Sequence, residues 1–104
     1  MGKEARRLFT VEDTFTISGR GLVAEYGPPF STFGTNGRTY SCSVEIKRPD
    51  GSVLVTQADF YMAHFQPLEV QRRYLERGCY ACLLKGATKA DVPVGSEVWE
   101  TDAT

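Results

Sequence analysis

Cys79-Tyr80-Ala81-Cys82 has the Cys-x-x-Cys spacing of a zinc knuckle or a thioredoxin-type redox pair. Both uses need the two sulfurs to converge, from a turn or a helix start. The segment Gly78 to Leu84 reads instead as a strand, and residues three apart on a strand point to opposite faces. On that reading the two cysteines serve as small hydrophobic side chains. The sharper alternative is a small metal-binding or redox protein, in which Cys42 and His64 complete a Cys₃His set. His64 is the single histidine. Any Ser-His-Asp or Cys-His site would have to use it, and no Gly-x-Ser-x-Gly elbow accompanies it. There is no Walker A pattern, and Gly19-Arg20-Gly21 lacks the third glycine and the βαβ surroundings of a dinucleotide fingerprint. The expectation is a chain that is not an enzyme, with no catalytic residues, no cofactor and no nucleotide hydrolysis.

The remaining chemistry-bearing residues are charged. Arg72, Arg73, Arg77, Lys85 and Lys89 form a basic segment. It reads either as a solvated helix face balanced by Glu69 and Glu76 or as a small phosphate-facing patch. Arg20 sits between two glycines in a turn, so its side chain is expected to project into solvent. There it can meet a phosphate or carboxylate, or it can pair with a carboxylate of its own sheet such as Glu45 or Glu97.

The elements that must hold these residues are mostly strands. Phe9, Val11, Phe15 and Ile17 share one parity, which predicts a single half-buried strand with Phe15 facing the core; Asp13 interrupts its apolar face. Ser18-Gly19-Arg20-Gly21 breaks that strand, and Leu22 to Tyr26 returns. Asn36-Gly37 favours a type I′ hairpin turn. After it Tyr40, Cys42, Val44 and Ile46 alternate with polar neighbours. Pro49-Asp50-Gly51 is a turn followed by Val53 and Val55 at strand spacing. Ala58 to Phe65 is aromatic and ambiguous, and as an exposed stretch from Phe60 to Phe65 it supports a homo-oligomeric structural barrel as a third possibility. Pro67 to Arg77 predicts one short helix closed by Gly78, with Val70 and Tyr74 four apart. Cys79 to Lys85 predicts a buried strand, and Val94 to Trp99 a last one. The fold class is therefore all-β, a barrel or sandwich with one short helix in a single domain, residues 1–104.

The run from Leu8 to Val23, containing Val11-Glu12-Asp13-Thr14-Phe15-Thr16-Ile17-Ser18-Gly19-Arg20-Gly21, resembles the opening of the second domain of elongation factor Tu and related translation GTPases. Cys82-Leu83-Leu84-Lys85-Gly86-Ala87 and Asp91-Val92-Pro93-Val94-Gly95-Ser96-Glu97-Val98 resemble that domain's close, and Ser43-Val44-Glu45-Ile46 its central strand. The resemblance spans roughly residues 8–99. It implies a closed antiparallel β-barrel of translation-factor second-domain type, here free-standing, acting as a non-catalytic binding module for RNA or a protein partner. It also implies site residues: Glu12, Asp13 and Phe15 where the family lies against the aminoacyl end of tRNA, and Gly19, Arg20 and Gly21 on a ribosome-facing turn. The family's segment near the terminal adenosine has no counterpart in Ala58 to Phe65, and Cys79 stands where the family has an Asn.

Composition bounds these readings. The chain has 104 residues, 41% of them apolar and 24% charged, which excludes general disorder and a long coiled coil. Twelve Lys and Arg against thirteen Asp and Glu give a formal charge of −1, unlike a strongly basic nucleic-acid binder. The longest apolar run, Cys79 to Leu84, is six residues, whereas a spanning helix needs about 20. With a polar N-terminus and an odd three cysteines, the chain is expected to be soluble and cytoplasmic.

Overall fold

The computed structural model describes residues 6–17, 19–33, 39–62 and 68–101. Its strands are β1 (Arg6–Thr10), β2 (Thr14–Ile17), β3 (Gly21–Ala24), β4 (Tyr40–Lys47), β5 (Val53–Tyr61), β6 (Ala81–Leu84) and β7 (Glu97–Glu100), with one α-helix, α1 (Leu68–Arg77). They form one antiparallel sheet in the order β1-β7-β4-β5-β6-β3-β2. The Asn36-Gly37 turn expected from the sequence and His64 lie outside the described residues.

The first expected strand is two. Through Val11 the chain stays with the β7 side: the Val11 N–H donates to Ser96 O at 2.8 Å, and the Gly95 N–H to Val11 O at 3.0 Å. Two residues later it has changed partner, and Asp13 O accepts the Glu25 N–H at 2.9 Å, at the β3 side. The Asp13 carboxylate takes the Thr14 N–H at 2.8 Å, a local bond that competes with a continuous ladder. The bend also resets the parity. Thr14 takes the buried position and Phe15, expected in the core, is only half-buried opposite Val23. Upstream, a bulge between Arg7 and Phe9 lets both Leu8 and Phe9 be buried on a strand that alternation alone would split.

This bend shapes the whole sheet. β1 and β2 are its two edges, yet only residues 11–13 connect them. Seven flat strands would put the edges about 29 Å apart, whereas a three-residue connection reaches at most about 14 Å. The sheet must therefore curl. Among the described residues no ladder joins β1 to β2, so the sheet is not closed by hydrogen bonds into the expected barrel.

Hairpins form at Pro49-Asp50-Gly51 and Gly19-Arg20-Gly21, whereas the one expected at Asn36-Gly37 does not, because among the described residues β4 has β5 and β7 as its neighbours. β4 and β5 pair from Tyr40 with Phe60 to Lys47 with Val53. Their turn is closed by Arg48 N–H to Ser52 O at 2.9 Å, and Asp50 Oδ1 accepts the Ser52 N–H at 2.9 Å. β2 and β3 turn through Gly19-Arg20-Gly21, where the Arg20 N–H reaches Ile17 O at 3.0 Å. The last strand starts later than expected because Pro93 to Ser96 turn instead, with Gly95 at φ 93° and Ser96 Oγ on Pro93 O at 2.6 Å.

The main core is the concave face: Leu22, Ala24, Val44, Ile46, Ala58, Phe60, Cys82, Leu84 and Val98 interlock there with Tyr80 and Val92. Phe60 is fully buried, which removes it from the exposed aromatic stretch that the sequence offered for self-association. β6 is buried on both faces. Its outer residue Ala81 joins Tyr74 of α1 and Cys79 in a second apolar cluster, edged by Tyr26, Tyr61 and Val70. The helix thus exists to cover β6, presenting Val70, Tyr74 and Arg77 at the 3.6-residue period. Gly78, at φ 66°, ends it as expected.

Gly21 combines a φ of 134° with a position where a Cβ would stand 2.9 Å from Leu84 O; Gly19, at φ 77°, has open space around it. Gly21→Ala should therefore cost about 2–3 kcal/mol and Gly19→Ala about 1 kcal/mol. Thermal unfolding followed by circular dichroism checks the order, and an equal or greater loss at Gly19 would overturn it.

Candidate functional site

Glu12 and Asp13, brought to the surface by the bend, each meet a cation from another element. Glu12 accepts both terminal nitrogens of Arg77 at the end of α1, at 2.7 and 3.4 Å. The Arg77 guanidinium also lies 4.0 Å from the centre of the Tyr26 ring, and that ring lies 4.8 Å from Tyr74. The Tyr74 hydroxyl accepts the Tyr26 N–H at 3.4 Å. Tyr26 is the one non-glycine residue with positive φ, 57°, among the described residues. A carboxylate, a guanidinium and two rings thus touch one after another and hold the helix end against the bend.

Asp13 lies 3.9 Å from Lys89 Nζ, which itself donates to Thr14 O and to Thr14 Oγ1. Lys89 belongs to a 3-10 turn, Lys89–Asp91, capped by Asp91 on the Thr88 N–H at 2.9 Å. Its ammonium thus satisfies an acceptor on edge strand β2. Glu25 faces the same corner. Burial pushes its pKa up, Asp13 adds to that, and Arg73 and Lys89 pull the other way. Hydrogen bonding to Glu12 raises the pKa of Arg77 and keeps it charged.

Gly19-Arg20-Gly21 stands at the other end of β2, about 13 Å along the strand from the bend. Arg20 is exposed, as expected. Its charge acts on Tyr61, lowering that hydroxyl's pKa against the larger, opposite effect of burial. Neither expected carboxylate takes it: Glu97 lies with Arg7 at 3.6 Å, and Arg20 forms no ion pair among the described residues. The six residues proposed by resemblance therefore form two separate groups. Glu12 and Asp13 are engaged within the chain, Phe15 lies in the strand between, and only the turn presents an unengaged charge.

The basic segment divides similarly. Arg77, Lys89 and Lys85 have in-chain carboxylates, the last being Asp59 at 3.5 Å. Arg77 pairs with Glu12 of the bend, not with its helix neighbour Glu76. Arg72 and Arg73 are exposed and form no ion pair among the described residues.

Cys79 and Cys82 diverge as strand geometry predicts, Cys79 into the cluster under α1 and Cys82 into the main core. All three cysteines are free thiols. Burial pushes Cys42 up to about 11 and raises Cys79 and Cys82 as well, which disfavours thiolate. Among the described residues, no three His, Cys, Asp or Glu side chains gather as metal ligands.

Two groupings escaped the sequence reading. One is the Glu12–Arg77–Tyr26–Tyr74 stack, whose only local signal is Arg77 three residues beyond Tyr74. The other is at the β1-β7-β4 end, where Glu100 accepts from Arg6 Nε at 2.8 Å and from the Tyr40 hydroxyl at 2.9 Å, beside Phe33 stacked on Tyr40 at 4.1 Å. Comparison with protein-family models, with curated proteins and with solved structures finds no match to this chain.

A double-mutant cycle of Arg77→Ala and Glu12→Gln should give a coupling of about 0.5–1 kcal/mol that shrinks at high salt, since both side chains are about half exposed. Strictly additive losses would refute the pairing. Glu25 gives a pH signature. Its pKa is raised above 4.5 in the folded state, so its favourable contribution is complete below pH 4.5 and is lost as pH rises through the folded value. Glu25→Gln should therefore melt above wild type near pH 7 and equal it below pH 4.5. A pH-independent difference would contradict the assignment.

Proposed function

We propose that this chain is a non-catalytic binding module of the elongation factor Tu second-domain type, and that it grips the phosphate backbone of an RNA through the Arg20 turn. The observation that carries the reading is a cation on a fixed base with no ion-pair partner among the described residues. Gly19 and Gly21 impose the turn, the backbone at Gly21 is pressed against β6, and Arg20 is exposed above them. A guanidinium so placed meets phosphate with little further ordering. Tyr61, within reach of its charge, adds an aromatic neighbour of the kind that RNA-binding surfaces use. In this reading the curled sheet completes a barrel that acts as a rigid support in the cytoplasm, and Glu12 holds α1 and Asp13 holds Lys89 instead of touching the partner. The formal charge of −1 favours a protein partner as the second reading, with Arg20 then meeting carboxylates.

Fluorescence polarisation with a labelled RNA hairpin, titrated between about 50 and 200 mM salt, tests the first reading. Arg20→Glu should lower affinity, reduce the salt slope by about one, and leave the melting temperature within a degree or so of wild type. Absence of salt-sensitive RNA association in the wild type would overturn RNA as the partner. Retrieval of the same partner from extract with and without ribonuclease would then support the protein reading.

A further inference from the structure

The convex face of β4 and β5 carries a small grid of outward side chains. Register sets Glu45 opposite Val55 and Lys47 opposite Val53. On the other side of β4, Glu45 is opposite Trp99 and Lys47 opposite Glu97. Single exposed apolar residues are ordinary, but Val53 and Val55 are same-face neighbours on an interior strand, 50% and 63% exposed. Lys47 leans away from them, its ammonium 4.0 Å from the centre of the Trp99 ring. The two valines are left uncovered beside one acid and one base.

We infer that this face is the docking surface for a second copy of the chain, related by a two-fold axis that crosses β4 and β5 at the level of Ile46 and Leu54. The grid is self-complementary in charge. Rotation about that axis lays β4 on β4 and β5 on β5, antiparallel. Glu45 then meets Lys47 of the second copy, Lys47 meets its Glu45, and Val55 packs on its Val53. An isologous contact requires a surface that matches itself after rotation, and this grid does so in both sign and apolarity. A pair of like charges in either place would forbid it. The patch is small against a standard interface, so the dimer is weak, with a dissociation constant on the order of tens to hundreds of micromolar. The surface shares no residue with the Arg20 turn and does not rest on RNA binding.

Sedimentation equilibrium of the full chain over about 10 µM to 1 mM reads the association. The wild type should rise from the monomer mass of 11.5 kDa toward twice that value. Glu45→Lys or Lys47→Glu alone should weaken self-association at least tenfold, because each sets like charges face to face. Mixing these two variants should restore it, and so should the double variant E45K/K47E. Val55→Asp, an exposed position whose change leaves the core untouched, should abolish it independently of the charges. A wild type that stays monomeric throughout would overturn the proposal. So would a dimer indifferent to Glu45→Lys and Val55→Asp, or single variants that fail to recover on mixing.

Discussion

Between Val11 and Asp13 the backbone leaves one hydrogen-bonded ladder and enters another at the opposite edge of the sheet. Everything else in the fold accommodates that crossing. The edges have to approach, so the sheet curls. Curling gives one concave face, and the long side chains of Phe60, Tyr80 and Leu22 fill it. Val11 is still buried in the core, whereas the Glu12 and Asp13 side chains that follow it face water. Asp13 supplies an acceptor for the freed Thr14 amide, and Lys89 returns a donor to the Thr14 carbonyl. The edge strand β2 is thereby occupied by a side chain where a neighbouring strand would otherwise sit.

The helix is attached to the same corner. α1 has little apolar surface to offer, with Leu68 and Leu75 pointing outward and Tyr74 alone fully buried. Its end is fixed mainly by Arg77, held from one side by Glu12 and from below by the ring of Tyr26. Tyr26 accepts a left-handed backbone to keep its ring in that stack, a conformation that costs about 1–2 kcal/mol for a residue with a Cβ. Charge and aromatic stacking here add to the small hydrophobic contact that Tyr74 and Val70 make with Cys79 and Ala81.

Much of the architecture was legible because it rests on local rules. Pro49-Asp50-Gly51 and Gly19-Arg20-Gly21 encode their turns, the alternation from Tyr40 encodes β4, and Gly78 marks the end of α1. What escaped was set by non-local partners. Asp13 interrupts the alternation from Phe9 to Ile17, but Phe15 and Ile17 resume the same parity beyond it, so nothing announces that the ladder changes at Glu12; the bulge at Leu8 is hidden in the same way. The candidate site was legible in part. Arg20 is exposed as its turn requires, whereas Glu12 and Asp13 are taken up by Arg77 and Lys89, residues 65 and 76 positions away in the chain. Charge partners at that separation leave no trace in a spacing pattern. The cysteines were correctly read from strand geometry, since a spacing of three on a strand sends side chains apart.

The pairing of β1 with β7 has a kinetic meaning as well. Arg6 is opposite Glu100, so the earliest strand of the sheet finds its partner only in the last. Closing a loop of that length is entropically slow. Meanwhile Leu8, Phe9 and Val11 have no β7 to cover them. During synthesis the hairpins β2-β3 and β4-β5 can assemble as soon as they emerge, while β1 waits for β7. A few apolar residues near the beginning are thus the longest exposed on the way to the native state, and Arg6 and Arg7 immediately before them place charge where premature association would begin.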